Sequence, residues 1–343
     1  MIKKSRRNFI KKSAIASLGI GVAGKAFSMT GMPDVIKGKR VGMIGLDTGH
    51  SIAFARALND PLAGEKYLGY KVVAAYPNGN ENIEVWKNRI PEFTELVKNQ
   101  GVEIVDSIDQ MLKQVDVVLL TCIDGNRHLD QSLPVLKAGK PLFIDKPLAG
   151  TLTDAYKIFD AANHYKVPVF SASSLRYIAG AKEIEEGQVG KVIGAETYSP
   201  AHLEEHHPDL FWYGVHGVEI LYTIMGTGCK SVKRTFTENT DLVVGVWEND
   251  RIGSYRGIRE GKGSYGGTVY GEKGISVLGE YRGYGPLLEK VCEFFNTGIA
   301  PVSQEETLEI FAFMEAADES KRKGGTSVDV ELIIKNAKSQ AAN

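Results

Sequence analysis

The chain has 343 residues, 43% of them apolar and 24% charged, with 38 Gly and 12 Pro. That is enough for two domains with their own cores, and it excludes a disordered, low-complexity or collagen-like chain. Forty-one basic against 42 acidic residues leave a net charge of −1, which excludes nucleic acid or an anionic membrane as a partner held through bulk charge. Three cysteines (Cys122, Cys229, Cys292) are too few for a disulfide framework and fit no paired metal spacing.

The chain opens Ser5-Arg6-Arg7-Asn8-Phe9-Ile10-Lys11-Lys12 and then runs uncharged from Ser13 to Gly24, too short to cross a bilayer. A basic start, a short apolar stretch and small residues around Ala26 and Ser28 describe an export signal, and the paired arginines before Phe9 resemble a twin-arginine signal. A basic arm or a membrane anchor is the alternative. Residues 1–30 are therefore set apart from the fold, and the mature protein is expected in the periplasm or otherwise outside the cytoplasm. The twin-arginine machinery, which carries folded proteins, is the expected export partner, and no stable membrane span is expected.

From Lys39 short β-rich runs alternate with helical periodicity. The runs are Arg40–Leu46, Tyr70–Tyr76, Val102–Asp106, Val115–Cys122 and Pro141–Asp145. Continuous apolar strands of this kind suit a parallel sheet covered on both faces, so residues 38–150 are predicted as a doubly wound α/β domain with its ligand crevice at the carboxyl ends of the strands. After the first run comes Gly45-Leu46-Asp47-Thr48-Gly49-His50. A full dinucleotide fingerprint would place Gly at 45, 47 and 50, and only Gly45 is in register. Asp47 stands where backbone should approach a pyrophosphate, Gly49 lies one place early, and Thr48–Ser51 still offers free N–H groups at a helix N-terminus. The second run ends in Pro77-Asn78-Gly79 with no carboxylate for a ribose hydroxyl; Asn78 is the substitute, and NAD against NADP stays open. Asp124, Asn126, Arg127 and His128 follow the fourth run at the same crevice, as candidates for lining it or as ordinary loop polarity.

The most telling segment is Gly139-Lys140-Pro141-Leu142-Phe143-Ile144-Asp145-Lys146-Pro147, which puts a lysine at the end of a buried strand. An ammonium there is costly unless it has a partner or a task. A structural pairing with Asp145 is the other reading. With this motif the chain, over about residues 38 to 335, resembles the Gfo/Idh/MocA family, with Asp145 in place of the family's Glu. The resemblance implies an N-terminal Rossmann domain and, over residues 151–335, a C-terminal α+β domain with an open, mostly antiparallel sheet. It also implies NAD or NADP, with Asp145 and Lys146 among the residues that hold it and Lys146 hydrogen-bonding the reacting hydroxyl; export, away from a free nicotinamide pool, makes tight binding of that cofactor the expectation. A histidine on a helix of the second domain acts as general base, which here is His216 within Phe211–Leu221. The family's Asp four residues earlier is Trp212 in this chain, and Glu219 lies one turn further along. Trp212 and Tyr213 are expected to stack on a sugar.

Beside this stands His202-Leu203-Glu204-Glu205-His206-His207, which contains H-x-x-E-H, the order of inverted zinc proteases. Pro200 and Pro208 leave barely two turns for a helix, so no metal is expected. His202, Glu205 and His206 are instead candidates for a polar loop reaching substrate, or for a solvated loop. The remaining runs are β-rich from Val192 to Leu278, and helices are predicted at Pro286–Asn296 and Glu305–Lys323. The resemblance implies that the open face of the second sheet meets another subunit in a homo-oligomer. The expectation is an exported oxidoreductase acting on a secondary hydroxyl of a sugar, polyol or glycoside. The alternative is net non-redox chemistry (hydrolysis, elimination or epimerisation) through a recycled cofactor, or a metal-assisted variant using the histidine cluster.

Overall fold

The computed structural model describes residues 38–342, and the expected export signal lies outside them. Its first sheet holds β1 (Arg40–Ile44), β2 (Lys71–Tyr76), β3 (Glu103–Ile104), β4 (Val117–Leu120), β5 (Leu142–Ile144) and β6 (Val169–Ser171). All pairs are parallel, in the order β3-β2-β1-β4-β5-β6. The connecting helices are α1 (Gly49–Asn59), α2 (Glu84–Lys87), α3 (Ile90–Lys98), α4 (Ile108–Leu112), α5 (His128–Lys137) and α6 (Leu152–Tyr165). The order reverses between β1 and β4, so the crevice of this doubly wound sheet opens at the carboxyl ends of those strands. Side-chain oxygens of Thr48, Ser107 and Thr151 cap α1, α4 and α6, fixing where each helix begins. Strand β6 had no sequence expectation attached: Val169-Phe170-Ser171 is too short to show periodicity, but its neighbours in the sheet bury it.

The second half runs α7 (Ala181–Glu185), β7 (Val192–Pro200), α8 (Asp209–Trp212), α9 (Val215–Met225), β8 (Cys229–Phe236), β9 (Thr240–Trp247), β10 (Ile252–Ile258), β11 (Gly266–Gly271) and β12 (Gly274–Leu278). It closes with α10 (Gly285–Thr297), α11 (Gln304–Arg322), β13 (Val328–Asp329) and α12 (Val330–Ala341). Seven strands form the mostly antiparallel sheet β12-β11-β7-β10-β9-β8-β13, with one parallel pair, β7 on β10. Helix α9 lies directly on this sheet because Gly217 has no side chain: a Cβ there would stand 2.2 Å from the Tyr255 ring. Thr197 Oγ1 then donates to the Gly217 carbonyl (2.9 Å). The other face leaves Ile193, Ile252, Ile275 and Val277 exposed.

One core lies between the second sheet and its helices and continues under α5 and α6. The other face of the first sheet is covered in part by α10, which returns from the second half: Leu287, Leu288, Val291, Phe294 and Phe295 pack with Val41, Met43, Phe54, Phe143 and Phe170. Cys122, just past the end of β4, is buried in the core. Among the described residues no helix is long and apolar enough to cross a membrane.

Candidate active site

A cleft of about 210 Å³ opens where the carboxyl ends of the first sheet meet the second half of the chain. Each wall has a sequence reason. Gly45 takes φ +85°, and a Cβ there would lie 2.5 Å from Cys122 Cα, so this glycine lets the β1 loop pass close against the β4 loop. The chain then turns into α1 at Gly49, where an added Cβ would meet nothing within 4 Å, so the first turn of the helix faces open space. Thr48, Gly49 and His50 all line the cleft.

Asp47 does not. Its side chain is fully buried and turned beneath the loop, where Oδ2 accepts from the Asn80 backbone N–H (2.7 Å) and side-chain Nδ2 (2.9 Å), and Oδ1 from the Ile123 N–H (3.0 Å). Asp47 thus knits together the loops after β1, β2 and β4. Burial raises its proton affinity, and these hydrogen bonds pull it back only in part. This orientation takes the carboxylate out of the cleft lining and commits its oxygens to hydrogen bonds, which lessens the repulsion that an acid at position 47 implies for a phosphate group. The α1 end of the cleft therefore fits a dinucleotide's phosphates: it keeps the obligatory Gly45, an open first helical turn and no exposed acid.

Lys146 stands after β5, with its ammonium 5.8 Å from the Tyr213 ring centroid and no hydrogen bond or carboxylate contact from Nζ among the described residues. Burial lowers its proton affinity, and Asp145 opposes this. Asp145 lies just beneath, its Oδ1 accepting from the Lys146 N–H (2.9 Å) and its Oδ2 bound to Nδ1 of His50. Burial would raise the Asp145 carboxyl, but His50 and then Lys146 outweigh it and hold the group below its ordinary range.

His216 reaches the same cleft from α9. The expected helix over Phe211–Leu221 is broken at Tyr213-Gly214 into α8 and α9, which turns Trp212 and Tyr213 into the cleft with it. The partner that Trp212 could not supply is Ser173, whose Oγ lies 2.7 Å from His216 Nδ1. Ser173 is itself fixed, its N–H donating to Glu219 Oε1 (3.2 Å), and Glu219 is paired with Arg176 (3.0 Å). Burial, then the positive charge of Lys146, push the His216 imidazole well below its ordinary proton affinity, so it is held neutral. Tyr265, Tyr281 and Tyr284 complete the aromatic wall, and burial raises the Tyr265 phenol to about 12.

The other sequence candidates lie elsewhere. Asn78 is exposed, with Nδ2 at 3.5 Å from Tyr76 Oη. Asp124 is buried, accepting from Asn126 (3.0 Å) with His207 Nε2 3.2 Å away. The His128 ring lies between the carbonyls of Cys122 (2.8 Å) and Pro147 (2.9 Å), tying the β4 loop to the lysine segment, while Arg127 pairs at 2.8 Å with Glu81. Residues 201–207 form no helix, so the zincin-like geometry does not arise. His202 packs its ring against Tyr213 at 5.1 Å, and Glu204, Glu205 and His206 gather away from the cleft lining. Sequence reasoning missed Ser173, Asn80 and the three tyrosines. Ser173 follows β6, and a strand end at the crevice is the signal that would have found it.

Residues 39–173 match the family model GFO_IDH_MocA, described as an oxidoreductase family with an NAD-binding Rossmann fold. An inositol 2-dehydrogenase of Agrobacterium fabrum is 30% identical over 158 residues, 46% of this chain and 44% of that protein. A 1,5-anhydro-D-fructose reductase of Ensifer adhaerens is 31% identical over 107 residues, 30% of this chain and 32% of that one. The chain thus spans less than half the length of the curated relatives it matches. A scyllo-inositol dehydrogenase from Lactobacillus casei, solved with NAD(H) and scyllo-inositol, shares the fold over 86% of this chain and 100% of that one, with a TM-score of 0.68 at 14% identity. The parallel sheet with its reversal between β1 and β4 agrees with these matches: residues 39–173 form a Rossmann fold that is similar to the NAD-binding domain of that oxidoreductase family.

Proposed function

We propose that the protein is a nicotinamide-dependent oxidoreductase acting on a secondary hydroxyl of a sugar or cyclic polyol. The observation that carries this is the meeting in one aromatic-walled cleft of Lys146, from the Rossmann half, and His216, from the second half. The names of the relatives, which act on inositol and anhydrofructose, support the substrate class. Thr48, Gly49 and the first turn of α1 would hold the phosphates of the dinucleotide, which when bound supplies the hydride acceptor.

The chain's own residues do the rest. With Nδ1–H donated to Ser173 Oγ, His216 keeps the Nε2 lone pair toward the cleft and takes the hydroxyl proton. Lys146 holds the oxygen as negative charge develops on it, a role that demands an ammonium with donors to spare. The tyrosine and tryptophan faces fit the C–H surfaces of a ring and exclude water around it.

The reading includes export through the twin-arginine route, on the strength of Arg6-Arg7 and the short apolar run, with the cofactor loaded before export and retained. It also includes a homo-oligomer through the open face of the second sheet. Denaturing protein purified through its own export route and identifying the released nucleotide by mass spectrometry tests the core of this. NAD(H) or NADP(H) near one per chain is expected. A protein that carries none and binds neither when added rules the redox reading out.

A further inference from the structure

Oxidising a carbinol to a ketone moves one hydride and one proton, so one imidazole is enough. This cleft has two. His50 stands at the third glycine position of the incomplete fingerprint, where the fold asks for no side chain at all. Its ring leaves the first turn of α1, and Nδ1 is bound by the Asp145 carboxylate. The ring packs against Tyr284 at 4.6 Å and Phe54 at 5.9 Å. Nε2 makes no hydrogen bond among the described residues, and the side chain, 16% exposed, lines the cleft together with Lys146 and His216. A carboxylate on Nδ1 fixes the tautomer that leaves the Nε2 lone pair free and supports the imidazolium once a proton arrives.

We propose that His50, backed by Asp145, is a second acid–base residue of the cleft, which removes and returns a proton on the carbon next to a ketone whose oxygen is held by Lys146. This rests on the oxidoreductase reading for the class of substrate, a cyclic polyhydroxy ketone. In the step the C–H bond breaks and its proton passes to His50 Nε2. The electron pair becomes the C=C bond of an enolate, and the negative charge settles on the oxygen at Lys146. Return of a proton from His50 to the same face restores the ketone with its configuration retained, and exchange of that proton with solvent in between marks the carbon. No oxidant is consumed. The cleft thereby gains proton exchange at that carbon as an activity separate from hydride transfer.

The full chain, with its native nucleotide content, is incubated in D₂O with the ketone of myo-inositol, and deuterium on carbon is followed by mass spectrometry. The wild type is expected to incorporate deuterium beside the carbonyl. The His50→Ala variant, checked for folding by circular dichroism, is expected to lose at least ~10²-fold in exchange and to regain part of it when imidazole is added. Asp145→Asn is expected to lose exchange and Asp145→Glu to recover some of it, a pattern that a merely structural contact does not produce. Absence of exchange in the wild type overturns the proposal, as does an unaffected His50→Ala variant or a loss that imidazole does not relieve. A wild type that oxidises myo-inositol without exchanging strikes this inference alone. One that exchanges but neither binds nor uses a nicotinamide nucleotide strikes the redox reading alone.

Discussion

Arg234 and Lys146 are both cations held away from bulk water, and their surroundings are opposite. Arg234, 1% exposed on β8, spends every side-chain nitrogen: Nε on Asp241 (2.8 Å), Nη1 on Asp318 (2.5 Å) and Nη2 on Asp209 (2.9 Å). Arg259 takes the other oxygen of Asp241, and Lys321 bonds Asp209 at 2.6 Å. This is a closed network in which each charge answers another, and its work is to join β8, β9, α8 and α11. Lys146 has an aromatic ring nearby and its own neighbour Asp145, but that carboxylate is bound to His50, and the ammonium donors remain unspent. A buried group whose hydrogen-bonding capacity is left open is where a ligand's atoms belong. Buried charge alone does not mark a site; unspent capacity does.

That contrast can be broken at four points. Lys146→Met should lower kcat/KM by about 10²–10⁴-fold while leaving the thermal midpoint unchanged or raised, because a costly ammonium is removed. A midpoint that drops together with activity would make Lys146 structural, like Arg234. Arg234→Met should do the reverse, costing about 3–5 kcal/mol in urea unfolding by leaving the Asp318 carboxylate without its ion-pair partner and Asp241 and Asp209 with one cation each, with activity per folded molecule retained. Ser173→Ala removes one hydrogen bond to the His216 ring and should cost about 10-fold in kcat, with the fold intact. The smallest effect is on the pH profile. His216 must be neutral to accept a proton, and its proton affinity in the folded protein lies below the ordinary imidazole value of about 6.5. The acid limb of kcat/KM should therefore fall below pH ~6.5. Within that same window the unfolded chain binds a proton that the folded one does not, so stability should also decline as the pH falls, and His216→Gln should flatten the decline.

Much of the frame was legible in the sequence because apolar runs report burial directly. The runs expected at Arg40–Leu46, Val115–Cys122 and Pro141–Asp145 hold β1, β4 and β5, while Tyr70–Tyr76 became Lys71–Tyr76. Lys146 was legible because a charge at the end of a buried strand is an anomaly in a one-dimensional pattern. The role of Ser173 and the contacts of Asp47 and His50 were not. Which way the Asp47 carboxylate turns depends on Asn80 and Ile123, and the partner of His216 lies 43 residues away in sequence. Spacing along the chain carries no record of such contacts. Helix α12 is different: Val330, Ile333, Ile334, Ala337 and Ala341 recur at helical spacing and pack on the core, so its period was present in the sequence and went unassigned.

The return of α10 onto the first sheet has a consequence for how the protein is made. Phe143 and Phe170 are in place once β6 has been synthesised, but Phe294 and Phe295, which pack with them, follow about 120 residues later. At ordinary translation speeds of 5–20 residues per second, that part of the sheet's surface waits roughly 6 to 25 s for its cover. A nascent chain in this interval presents an apolar surface to chaperones. A fragment ending near residue 173, although it contains all six parallel strands, would keep that surface bare and is expected to aggregate where the full chain does not.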